Sequence, residues 1–76
     1  MSYLRRRGVI ADYGSLEAYK AFLTEARNNS AVVLDMNERT AITDADHAYV
    51  DECRLDLADW NVDLEWVNAE LAKDAK

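Results

Sequence analysis

Residues 28–41, "NNSAVVLDMNERTA", decide how the whole chain is read. The pair Asn28-Asn29 reads as a helix stop, because short polar side chains compete for backbone hydrogen bonds. Residues 31–36, "AVVLDM", are rich in β-branched side chains and read as a strand, with a short helix as the competing reading. "NERTA" then reads as a turn. Upstream, residues 8–12 of "RGVIADYG" form a second short β-compatible run, closed by Gly14.

Helical signals lie around these two runs. Ser15 is a candidate N-cap with Glu17 in the first turn. Leu16, Tyr19, Leu23 and Ala26 follow at helical spacing with Phe22 beside them, predicting a helix over 15–28. Thr43, followed by Asp44 and Asp46, resembles a capping box and opens a second helical region. Nothing breaks that region before about Ala72, so residues 43–74 form one long helix or a helical hairpin. The expected fold is α+β and helix-dominated: a β-α-β unit followed by that long C-terminal helix or hairpin. Its alternative is an all-α small bundle. Two strands joined by a helix pair in parallel, and a two-stranded sheet is weak alone.

At 76 residues the chain is read as a single small domain, with residues 1–7 as a flexible basic arm. Such a chain buries only ~60–65% of its unfolded surface, so its core is small. Cys53 and His47 each stand alone, which excludes an intrachain disulfide and a Cys/His zinc site. No apolar stretch approaches the ~18 residues of a membrane span, and "GVIA" is too short for a secretory signal. A soluble, cytoplasmic protein without cofactor or metal is expected.

Charge is unevenly distributed. Residues 1–30 carry five Lys/Arg against three Asp/Glu, whereas residues 31–76 carry four against twelve. The C-terminal part repels nucleic acid and anionic membranes and favours basic partners.

Within 43–74 three stripes interleave. Val50, Cys53, Leu57, Trp60, Leu64, Val67 and Leu71 step alternately by three and four, an a/d seam. Glu52, Asp56, Asp59, Asp63, Trp66 and Glu70 form an acidic row about 100° away. Leu55, Val62 and Ala69, with Ala48, form a smaller apolar row beyond the acids. The acids lack a basic residue at i±4 within their own row. Their repulsion costs the isolated helix roughly 0.6–1.5 kcal/mol. The bland reading of that row is a solvated face; the functional one is a partner-binding surface. The seam is read as packing on the protein's own β-α-β unit. The Leu55/Val62 row has little left within one chain to cover it, and suggests an oligomer or partner contact.

Other candidates are set aside. "DMNERTAITDAD", from Asp35, begins like a calcium loop but lacks the glycine and final glutamate such loops use. Cys53 on the seam reads as a core residue, and no nucleophile–base arrangement or phosphate loop is present, so no enzyme is expected. Arg5, Arg6 and Arg7 are candidate phosphate grips, solvated charges, or partners for the acidic row of a neighbouring copy.

The function expected is therefore a non-enzymatic acidic interaction protein. It would be an inhibitor or immunity/antitoxin-type partner that blocks a basic surface of a nucleic-acid-handling protein. In size and charge alone, the chain resembles small acidic phage inhibitors, antitoxins and nuclease immunity proteins. A DNA mimic of phage or mobile-element type is the sharper form. The alternatives are a homo-oligomeric scaffold, at least a homodimer, built through the apolar stripes, and a small DNA-binding regulator using Arg5–Arg7.

Overall fold

A computed structural model describes residues 2–75. It contains helices α1 (Ser2–Tyr13), α2 (Leu16–Thr40) and α3 (Asp44–Asp74), and no strand among the described residues. The β-α-β expectation is thereby overturned, and the all-α alternative fits. Residues 8–12 belong to α1, and residues 31–36 lie deep inside α2.

The physical reason is visible in α2. Asn28-Asn29 lacks a following glycine or proline, so continuing the helix costs only a few tenths of a kcal/mol per residue in propensity. Continuation keeps Ser30, Leu34 and Asn37 half-buried at the same helical spacing as Leu16, Tyr19 and Leu23. Side chains that favour turns also find partners on the helix itself. Asn37 Nδ2 donates to the Val33 carbonyl at 2.8 Å, and Thr40 Oγ1 donates to that of Met36 at 3.0 Å. Residues 37–40 are thus the last turn of α2, and the chain reverses over residues 41–43.

Both expected N-caps are present. Ser15 Oγ accepts from the Ala18 amide at 3.0 Å. Before it, Gly14 adopts φ +93°, where a side chain is strained, and its amide closes α1 on the Ile10 carbonyl. At α3, Thr43 Oγ1 accepts from the Asp46 amide at 3.1 Å, and Asp46 Oδ2 accepts from the amides of Ile42 and Thr43. Those backbone donors hold the Asp46 carboxyl below its usual range.

The seam packs α3 against α2 in one uninterrupted helix. Val67 and Leu23 are fully buried and form a cluster with Leu16 and Tyr19; Val9, Trp60, Leu64, Trp66 and Leu71 cover it. Val50 and Cys53 are buried further along α3, towards the 41–43 turn. The molecule is 49 Å long and about 20 Å thick, as a helix of α3's length (~46 Å) requires. Helix α1 lies over the end of this hairpin remote from the turn. There Tyr13 meets the rings of Tyr19 and Phe22 at 4.8 and 5.3 Å. The turn end is left to α2 and α3 alone.

Leu23→Ala, at the centre of so small a core, is expected to cost about 2–5 kcal/mol, enough to unfold much of the population in a thermal or urea melt. Asp46 provides a pH signature. Because its folded pKa is depressed, the stabilisation exists above the ordinary value of 3.8 and disappears as pH falls through it to the lower folded one. Asp46→Ala is expected to melt below wild type at pH 7, with the gap narrowing as pH falls below 3.8.

Candidate acidic interaction surface

The acidic row of α3 is a single stripe in sequence, but the fold divides it in two. Its C-terminal half is closed by α1. Arg5 pairs with Asp63 at 3.0 Å, and its guanidinium carbon lies 4.1 Å from the centre of the Trp66 ring. Arg6 reaches Glu70 at 3.5 Å and also binds Asp74. Lys73 completes the group, 3.3 Å from Glu70. Glu70 is 3% exposed, so these cations are what make its burial tolerable. The hydrogen bond to Asp74, followed by the charges of Asp74 and Glu70, outweighs partial desolvation and raises the Arg6 pKa above its usual value.

The arginines of the expected flexible arm therefore lie on a helix, and Arg5 and Arg6 face the chain's own acids. Arg7 belongs to the same helix. The counter-ions missing from the α3 row come from the far end of the sequence. A partial signal was available in the opposite net charges of the two halves of the chain.

The N-terminal half of the row has no such cover. Glu52, Asp56 and Asp59 are exposed, with no ion-pair partner among the described residues. Asp56, Asp59, Trp60 and Asp63 line a recess of about 340 Å³. Trp60 forms its wall and is held edge-on against Phe22 of α2, with centroids 6.0 Å apart. Towards the turn, Tyr49 is half exposed on the same flank of α3. Cys53 at close range, then partial burial and the charges of Glu52 and Asp56, raise the Tyr49 pKa, so its hydroxyl stays neutral.

The apolar row sits elsewhere. Leu55 and Val62 are 67% and 60% exposed, and Ala69 is also exposed. By helix geometry they lie on the back of α3, opposite the seam that meets α2. Nothing in the described chain covers them.

Other candidates fold into structural roles. The calcium-like segment is helical from Asp35 to Thr40, with Asp35 paired to Arg39. Cys53 is buried and unpaired, and no cluster of metal-ligating side chains occurs among the described residues. Arg54 bridges Asp51 at 2.9 Å and Glu38 at 3.4 Å, tying α3 to α2 near the turn. A larger, open hollow of about 750 Å³ along α2, near Lys20, Thr24 and Asn28, brings no reactive groups together. No helix among the described residues is long and apolar enough to cross a membrane.

No protein-family model matches the chain, and neither the curated proteins nor the solved structures contain a significant match to it.

The contact of α1 with α3 is largely ionic and partly exposed, so salt weakens it. Neutralising Arg5 and Arg6 to alanine, or raising salt to about 1 M, is expected to speed amide exchange in α1 by tenfold or more. Protection along the Leu23–Val67 seam should fall much less. Hydrogen-exchange mass spectrometry reads both regions in one experiment.

Proposed function

We propose that this chain is a non-enzymatic binding protein that covers a basic surface of a nucleic-acid-handling protein with the Glu52–Asp59 part of α3. Its biological class is then inhibitor or immunity/antitoxin type, of phage or mobile-element character. One observation carries the proposal: three carboxylates in successive turns have no counter-ion among the described residues, whereas the remaining acids on that row are paired. A row of like charges destabilises the free protein, whereas cations from a partner relieve the repulsion and accelerate encounter. Charge-for-charge DNA mimicry is less well supported. The free row presents three charges over about 10 Å of helix, where duplex DNA presents roughly six. Blocking a basic groove asks for less density than imitating its ligand. The unpaired Cys53 agrees with a reducing cytoplasm.

A second reading, a homo-oligomeric scaffold, is favoured by the exposed Leu55/Val62 row. The nucleic-acid regulator has weaker support, because Arg5 and Arg6 are engaged with α3.

The test is capture from the native host with wild type and the Glu52→Lys/Asp56→Lys/Asp59→Lys variant side by side, followed by titration of the purified partner. Asp63 is left intact because reversing it would also release Arg5. A basic partner bound by wild type, released by salt and weakened at least a hundredfold by the reversal is the expected result. Undiminished binding by the variant sinks the proposal. Light scattering from micromolar to millimolar concentration, with Leu55→Glu/Val62→Glu as control, decides the scaffold reading: a strict monomer excludes it.

A further inference from the structure

The groove between α2 and α3 continues past α1. By helix geometry Phe22 and Val33 of α2 and Tyr49, Asp56 and Trp60 of α3 lie on the flank of the hairpin that α1 occupies at the other end. Phe22, Val33 and Tyr49 are each 41–49% exposed. Phe22 touches Tyr13 of α1 and so marks the edge of the covered end; beyond it Val33 and Tyr49 give an apolar floor with acids along its α3 rim, continuous with an interface already formed inside the molecule. That interface shows which chemistry this flank accepts. Helix α1 brings an aromatic ring to Phe22 and Tyr19, an apolar side chain, Val9, to the core cluster, and a guanidinium to an aspartate beside an indole. The recess beside it extends the last feature: Asp56 and Asp59 stand beside Trp60, and Asp63, already held by Arg5, forms its boundary with the covered end.

We infer that this stretch of groove is a docking site for a basic amphipathic helix of the partner, with an arginine entering the Asp56–Asp59–Trp60 recess. The inference rests on the basic-partner reading above and specifies its form. Spacing selects a helix. Glu52, Asp56 and Asp59 recur once per helical turn, about 5.4 Å, and arginines one turn apart on a second helix share that repeat. Same-face side chains on an extended strand recur at about 6.6–6.8 Å and drift out of step. The apolar floor selects amphipathicity, since a uniformly charged partner would leave Phe22, Val33 and Tyr49 facing unpaired charge.

Labelled full-length protein titrated with a peptide of about 16 residues, carrying arginines once per turn and leucines on the adjoining face, tests this by NMR. A peptide of the same composition interrupted by central prolines is the comparison. The helical peptide is expected to shift the amides of Val33, Tyr49, Asp56 and Asp59 and the Trp60 indole. It should bind at least tenfold more tightly than the proline peptide and tenfold less tightly to Asp56→Lys/Asp59→Lys, whose unchanged α1 resonances report an intact fold. Equal binding of the two peptides overturns the helix docking site and leaves the acidic-surface reading standing. Shifts confined to Trp66, Glu70 and α1 show exchange of α1 for the peptide and overturn the inference. So does the absence of any shift at low salt and millimolar peptide. Binding unaffected by the charge reversal overturns both readings.

Discussion

The antiparallel contact of α2 with α3 around Leu23 and Val67 is the constraint on which the rest depends. These are the two side chains most completely removed from water, and Leu16 and Tyr19 complete their cluster. With so few buried residues the chain sits near the lower limit of what a core can stabilise. Side chains that deepen this contact therefore decide the local structure, even against propensity. That is why α2 runs through Asn28-Asn29 and the β-branched "AVV" run. It also explains why α3 stays continuous through Asn61, since a break there would take Leu64 and Val67 out of register with Leu16 and Tyr19.

The position of α1 follows from the same shortage. On its own the hairpin leaves its α1-facing flank open, and α1 is too short to cover all of it. It covers the end that its two-residue connection at Gly14-Ser15 allows it to reach. Its ring contacts and Val9 add to the core, while Arg5 and Arg6 neutralise acids that α3 brings together there. One helix thus enlarges the core and compensates charge at the end of the hairpin that it covers.

Parts of this were legible in the sequence for physical reasons. The Ser15 and Thr43 caps are local, encoded by hydrogen bonds within three residues, and both form as the side chains suggest. The seam from Val50 to Leu71 was legible because periodicity is preserved whatever it packs against. The short runs 8–12 and 31–36 were not, because four to six apolar residues satisfy strand and helix patterns alike, and only the tertiary partner decides. Within residues 31–36 it is Leu34, on the same helical face as Leu16 and Leu23, that is half-buried, while the valines stay exposed. The acids of the candidate surface were identifiable one by one. Their division into paired and unpaired halves was not, since it depends on residues 58 and 64 positions away in sequence.

That division changes what the acidic row means. As an undivided stripe, its repulsion is compatible with simple solvation of a surface helix. In the folded chain Asp63, Glu70 and Asp74 have specific cationic partners, and two arginines are held in defined geometry to provide them. Helix α1 shows that this flank of α3 accommodates arginine, with Arg5 on Asp63 beside the Trp66 ring and Arg6 on Glu70 and Asp74. The remaining carboxylates occupy the same flank, next to an indole and an apolar floor, and have no ion-pair partner among the described residues. The like-charge pairs 52–56 and 56–59, at a few tenths of a kcal/mol each, are a small cost even for a chain this marginal. Fold stability alone therefore neither requires nor forbids them, and the distinguishing fact is their position. They continue an interface that the molecule already uses to bind a basic helix.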